Sequence, residues 1–440
     1  MKADICFIGG GLNYAGAVVA AKAGLDVVLI EKDLNMLGGT CLNKGCIPSK
    51  MFLHFANVVR ESEKDVFSKR AVLDMKKLLE KKNFVIKNAR DAIFRQCKNV
   101  KLIEGRGEII EKNRVRVKDE EIEAKYIVIG TGSYPFIPEN IEYDGKNIVT
   151  SDEILQMQSF PKEIAIYGNG AIGLEMASFF ASVGVKTYLI YRHERIFSKA
   201  HPYIDETLKS QMLSLGVKLM PQSPIKRAKF ENGKVVIEFE NSSLETEKLL
   251  VATGRKADVS AVGNSKDIEL YNKGILTDDF FETTLKNHFA VGDCNGKLQL
   301  AHAARAEVLN VVGTILGKKP KTLNLFNVVK FIHTLPMSYA SVGLTKTELE
   351  KRGEFYKESI VPLKAFTYPL IQDSKDGAVI IYSDKEGFIL GGEILSKDAE
   401  ELIGIISMAI AGEMDAKTAR RTILAHPTLS ESVEKGFYRA

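Results

Sequence analysis

IAIYGNGAIGLEMASFFASVGVKTYLIY, residues 164–191, passes from an apolar segment through glycines at 168, 170 and 173 into a small-residue stretch, then into a second apolar segment. A strand, a Gly-x-Gly-x-x-Gly turn, a helix and a second strand make up a dinucleotide-binding unit. Gly168 and Gly170 suit that chemistry because backbone amides at the helix start must approach a pyrophosphate with no side chain between. Gly173 serves close packing of the helix. At the end of the second strand, where an NAD site carries Asp or Glu, stands Tyr191, followed by Arg192, His193 and Arg195. An acid there binds a ribose 2′-hydroxyl, whereas guanidinium groups pair with a 2′-phosphate. Arg192 therefore inclines the site towards NADP, against the plainer reading of a solvated basic turn.

The pattern also occurs at the start of the chain. ADICFI (3–8) reads as a buried strand, GGGLNYAG (9–16) as the turn, AVVAAKAG as the helix, and VVLI as a second strand ending at Glu31. Gly9 and Gly11 occupy the phosphate side, and Glu31 lies at the distance of a ribose-binding acid. The third glycine position holds Tyr14, with the next glycine at 16, so the loop is expected to be shortened and repacked around Asn13 and Tyr14. Two such units imply two different dinucleotides and a chain that passes electrons between them.

The 440 residues are 45% hydrophobic and 27% charged, the composition of an ordinary globular protein of two to four domains. A net charge of +5 on 61 basic and 56 acidic residues, with no Lys/Arg tract, leaves no electrostatic footprint for nucleic acid. No run reaches the roughly 18–20 apolar residues of a membrane span, and MKADICFIGGG lacks the pattern of a signal peptide. A cytoplasmic location is the expectation. The five cysteines, at 6, 41, 46, 97 and 294, are too sparse for a secreted disulfide framework.

Two of these cysteines lie in GGTCLNKGCIPSK (38–50). Zinc clips prefer two to four residues between cysteines and need a second ligand pair, which Cys97 and Cys294 do not form, so no metal site is expected. In a regular helix residues five apart rise about 7.5 Å and face different sides, so a disulfide here needs a distorted loop or first turn, which Gly45 permits. Pro48 suits a helix start, which places Cys46 where the macrodipole favours a thiolate. Lys50, four residues on, shares its face if the segment is helical. Locally, an ionisable and reversible dithiol is favoured.

GGTCLNKGCIPSK closely resembles the redox-disulfide motif of the class I pyridine nucleotide-disulfide oxidoreductases, which include dihydrolipoamide dehydrogenase, glutathione reductase and mercuric reductase. The resemblance extends to IVIGTGS (127–133), VATGR (251–255), TLKNHFAVGD (284–293), LAHAARAE (300–307), ASVGLT (340–345) and HPTLSE (426–431). It implies that Cys46 is the flavin-proximal thiol and Cys41 the interchange thiol. Lys50 and Glu175 would form an ion pair beside flavin and nicotinamide, with Glu175 in the first turn of its helix. Asp293 would hold the flavin ribityl chain. Gly39, Thr40, Thr131, Gly132, Gly254, Gly292 and Ala301 would join Gly9, Gly11 and Glu31 around the cofactors. His426 and Glu431 would form an acid/base dyad supplied by the partner subunit, so a homodimer is implied. His54, His201, His288 and His333 have bland readings as surface or packed residues.

The implied fold is α/β, with two Rossmann-like domains and a C-terminal α+β interface domain. Residues 1–145 and 260–320 would bind FAD, 146–259 NAD(P), and 321–440 would form the interface through strands at 360–368, AVIIYS and GFILGGEIL and two amphipathic helices. CLNKGCIPSK, LAH and HPTLSE incline the substrate towards a dihydrolipoyl group, small or protein-bound, with docking to a 2-oxoacid dehydrogenase complex as a corollary. Arg192 and Leu424 instead incline towards an NADPH-dependent reductase of another disulfide. A second class of reading, a structural subunit or flavin redox sensor, accounts poorly for the retained Cys41, Cys46, Lys50, Glu175, His426 and Glu431.

Overall fold

Uninterrupted apolar runs such as ICFI and VVLI suit parallel strands covered on both faces. The computed structural model describes residues 1–272, 274–372 and 374–440. Two compact units emerge, one of Met1–Ser49, Lys76–Phe136 and Gly254–Leu325, the other of Lys50–Met75, Ile137–Thr253 and Phe326–Ala440.

In the first unit, Lys101–Glu104, Val27–Glu31, Lys2–Ile8, the C-terminal half of Glu120–Ile129 and His288–Ala290 lie side by side in parallel. Strand alternation sends Ile5, Phe7, Leu29 and Val128 into one core with Val308, Val311 and Val312. Cys6, Ile8, Ile30, Ile127 and Ile129 go into the opposite core, beneath Val115 and Val117 of the antiparallel meander. The first fingerprint helix runs Asn13–Lys22, so it begins before the expected third-glycine position. Tyr14 packs against the first core. The packing glycine is instead Gly16, where a Cβ would stand 2.5 Å from Val308 Cγ2 and 3.3 Å from Phe7 Cε1.

The second unit holds a parallel sheet ordered Lys218–Met220, Lys186–Ile190, Glu163–Tyr167, Lys248–Val251 and Ile148–Val149. It also holds an antiparallel sheet ordered Lys330–Ile332, Ser338–Gly343, Ile389–Ser396, Ala378–Ser383 and Lys357–Pro362. Helices Ala399–Ala411 and Ser430–Arg439 bury Ile403, Ile406, Val433 and Phe437 on this sheet. The strand expected over 360–368 ends at Pro362 and gives way to short helical turns at Leu363–Ala365 and Thr367–Ile371. Pro362 has no amide to extend the ladder. A buried carboxylate, Glu393, joins these parts. It accepts hydrogen bonds from Tyr382 (2.7 Å), Tyr339 (2.9 Å) and the amide of His201 (2.9 Å), and burial raises its pKa above the ordinary value. Among the described residues no helix is long and apolar enough to cross a membrane.

Gly16→Ala should destabilise the protein by about 1–3 kcal/mol, because stiff, buried Val308 has no room to retreat. Thermal unfolding checks this, and Gly16→Ala combined with Val308→Ala should lose less stability than the sum of the two single changes.

Candidate active site

The first unit builds its site from two glycine contacts. The amide of Gly38 donates to the carbonyl of Gly10 (2.9 Å), and a Cβ at Gly39, whose φ is +69°, would stand 2.8 Å from Gly11 Cα. The segment carrying the cysteines is therefore laid directly on the phosphate-side loop. Glu31 accepts a hydrogen bond from the Gly10 amide at 2.6 Å. Burial raises the Glu31 carboxyl, with that amide and the amide of Asp33 opposing. Side-chain-free backbone, a helix beginning at Asn13 and a carboxylate at the strand end together fit a dinucleotide. Asn13 is itself buried, with Nδ2 facing the carbonyls of Ile8 and Val128 at 3.4 Å.

Cys41 lies in the short helix Gly39–Asn43, and Cys46 opens the helix Cys46–Glu61. The chain turns between them at Lys44 and Gly45, where a Cβ on Gly45 would be 3.0 Å from the Thr40 carbonyl and 3.3 Å from Cys41 Cα. Asn43, unremarked in the sequence, holds this turn by donating to the carbonyls of Met36 (3.1 Å) and Gly39 (2.9 Å), and Arg90 donates to its Oδ1. Cys41 is half-buried and Cys46 exposed. Burial pushes the thiols of Cys6 and Cys294 up to about 12 and that of Cys97 to about 11, which leaves them inert near neutrality.

Asp293 accepts a hydrogen bond from Ser133 at 2.5 Å, and Arg255 donates to both Ser133 Oγ (2.8 Å) and the Ser133 carbonyl (2.7 Å). Gly292, at φ +71°, has its amide held by the buried Glu307 at 2.7 Å, and Asn295 donates to the same oxygen. Ser133, Arg255 and Glu307 were missed as supporting residues, although each lies inside a quoted motif. Thr131 donates to the carbonyl of Asp258, Gly132 takes φ +76°, and Ala301 opens the helix Ala301–Ile315. Thr40 accepts the Lys44 amide, and Gly254 accepts the Phe136 amide.

In the second unit Gly170 caps the helix Ala171–Ser182, and a Cβ at Gly173 would fall 1.8 Å from the Gly168 carbonyl. Because the helix starts at Ala171, Glu175 belongs to its second turn rather than its first. Glu175 forms an ion pair with Lys50 and accepts the amide of His333 at 3.0 Å. Lys50 also lies over the ring of Phe331, 5.1 Å from its centroid. The basic turn is thinner than its sequence. Tyr191 is buried, and Arg195 is committed to buried Asp205 (3.0 Å) and the carbonyl of Ala200 (2.7 Å). Arg192 and His193 remain exposed.

His426 Nδ1 and Glu431 Oε1 stand 2.7 Å apart, with the histidine side chain 77% exposed. Hydrogen bonds from His426 and the Thr428 amide hold the Glu431 carboxyl below its ordinary pKa. Of the histidines given bland readings, His54 is exposed and His201 and His288 are buried. His201 also contacts Glu358 at 3.3 Å, and half-buried His333 has its ring against Glu400 at 2.8 Å and its amide on Glu175.

The chain matches the family described as pyridine nucleotide-disulphide oxidoreductase over residues 3–307, and the dimerisation domain of that family over 329–436. It is 32% identical to the dihydrolipoyl dehydrogenase of Bacillus subtilis, covering 98% of this chain and 96% of the relative. It is 30% identical to the dihydrolipoyl dehydrogenase of Chlamydia muridarum, covering 97% and 94%. The structure of the HOCl-induced flavoprotein disulfide reductase RclA from Escherichia coli matches with a TM-score of 0.90 at 26% identity, over 99% of both chains. With Cys41 and Cys46 beside one glycine loop and a second fingerprint in the same chain, these matches show that the protein belongs to the pyridine nucleotide-disulphide oxidoreductase family and is an enzyme of that type.

Proposed function

We propose that the enzyme couples a nicotinamide dinucleotide to a dithiol/disulfide substrate through FAD and the Cys41–Cys46 pair, with dihydrolipoyl groups as the leading substrate. The observation that carries this is the placement of Cys41 and Cys46 on consecutive helices folded back at Gly45, with solvent access the other three cysteines lack. Bound FAD would supply a two-electron relay between nicotinamide and thiols. Cys46, first in its helix, gains from the positive end of the macrodipole as a thiolate. In the reducing direction the Cys41 thiolate attacks a substrate disulfide, its S–S bond breaks, and one substrate thiol leaves while a mixed disulfide forms. Cys46 then attacks the Cys41 sulfur, which closes the Cys41–Cys46 bond and releases the second thiol. His426, oriented by Glu431, delivers the protons, and dihydrolipoyl oxidation runs these steps in reverse.

Two relatives bearing the name dihydrolipoyl dehydrogenase support the substrate, with docking to a 2-oxoacid dehydrogenase complex and a cytoplasmic location as corollaries. The same reading divides the chain into FAD (1–145, 260–320), nucleotide (146–259) and interface (321–440) domains. Exposed Arg192, with no acid at the strand end, favours NADPH over NADH. That inclination rests on Arg192 and His193, since Arg195 is paired elsewhere.

Cys41→Ser should abolish turnover of lipoamide, glutathione disulfide and protein disulfides while FAD stays bound. Unchanged turnover sinks the mechanism. With NADH and NADPH compared on each substrate, NADPH should show the higher specificity constant, and Arg192→Ala should lower it about tenfold to a hundredfold, the worth of a charge-assisted hydrogen bond. An NADH preference in the wild type would retract the assignment to Arg192.

If His426 acts in trans, Cys41→Ser and His426→Gln subunits, each inactive alone, should complement when dissociated and mixed. Random reassortment makes half the dimers hybrids with one intact site, so about a quarter of wild-type activity should return. No recovery, with hybrids verified by mass, contradicts an intersubunit site.

A further inference from the structure

Glu175 Oε1 receives two donors, the Lys50 ammonium and the amide of His333. The amide comes just after the strand Lys330–Ile332, whose Phe331 ring lies beneath the same ammonium. The His333 side chain is tied separately, to Glu400 in the first turn of the helix Ala399–Ala411. Two histidine atoms thus clamp one backbone position between two helices. Both ends are sheltered, with side-chain exposures of 25% for His333, 17% for Glu400 and 10% for Glu175. Glu400 need not be sheltered to serve the helix start.

We infer that His333 is a positioning residue for hydride transfer: its bond to Glu400 fixes the backbone amide that, with Lys50, orients the Glu175 carboxylate. This deepens the proposed function, because it rests on the Lys50–Glu175 pair facing the nicotinamide reaction. Rotation of the His333 backbone would leave Oε1 with Lys50 alone, free to follow the lysine through its rotamers. A displacement of about 1 Å in such a group is enough to slow a reaction by up to a hundredfold. Partial burial opposes ionisation of the Glu400 carboxyl, but hydrogen bonds that include the one from His333 hold it below its ordinary pKa, so it stays an acceptor near neutrality.

The test uses full-length holoenzyme with His333→Ala, His333→Asn, Glu400→Ala and Lys50→Ala. Hydrogen exchange of the peptide spanning residues 331–335 reads the clamp without reference to activity. Stopped-flow reduction by NADPH reads the nicotinamide half of the reaction, and thiol exchange with lipoamide reads the other half. His333→Ala and Glu400→Ala should each speed amide exchange at His333 about tenfold and slow reduction by NADPH about tenfold, with thiol exchange unchanged. His333→Asn, which can still donate to Glu400, should retain most of both properties. Wild-type exchange and reduction in the two alanine variants would overturn the inference, as would His333→Asn behaving like His333→Ala or an equal loss in both halves of the reaction. If Lys50→Ala reduces at the wild-type rate, the role of the ion pair falls, and the exchange data still decide whether His333 and Glu400 clamp the amide.

Discussion

The backbones of Gly11 and Gly39 touch, and that contact sets the register of the cysteine-bearing segment on the first glycine loop. A side chain at position 39 would collide with Gly11 and would also have to tolerate φ +69°. Because the Gly38 amide and the Asn43 side chain hold the same short stretch from both ends, the two cysteines follow from a rigid start rather than from a mobile loop. Cys41 and Cys46 thus stand on regular structure, the first within a short helix and the second at the start of a longer one. Placement on such elements is what keeps a constellation within the tolerances of catalysis.

The second unit solves a different problem, that of keeping a lysine and a glutamate paired in a half-sheltered site. Lys50 arrives on a helix anchored by Phe52 against Phe179, and Glu175 on the fingerprint helix that carries Phe179. Each charge has more than one tether: Lys50 has Glu175 and the Phe331 ring, and Glu175 has Lys50 and the His333 amide. Shared tethers of this kind limit the side-chain entropy that makes isolated surface ion pairs worth little.

Glycine spacing and apolar runs were sufficient for the two parallel sheets, because backbone approach to a pyrophosphate permits few other residues. Replacement of the third glycine by Tyr14 was visible in the sequence, but its consequence was not. Gly16 takes over the close contact only because Val308, almost three hundred residues away, packs there. Arg195 falls in the same basic turn as Arg192 in the sequence, but its buried partner Asp205 is set by tertiary structure. Pro362 did carry a local signal for the end of its strand. His333 carried none, because a histidine gains meaning from partners, and Glu175 and Glu400 are brought to it by the fold.

The proposed function requires Cys41 and Cys46 to form the disulfide that exchanges electrons with the nucleotide. Differential alkylation with mass mapping, before and after anaerobic addition of NADPH, addresses it directly. Cys41 and Cys46 should be protected in the enzyme as isolated and become alkylated together once NADPH is added, while buried Cys6, Cys97 and Cys294 stay unchanged. Equal labelling of Cys41 and Cys46 with and without nucleotide, or new thiols appearing at the buried cysteines instead, would contradict it.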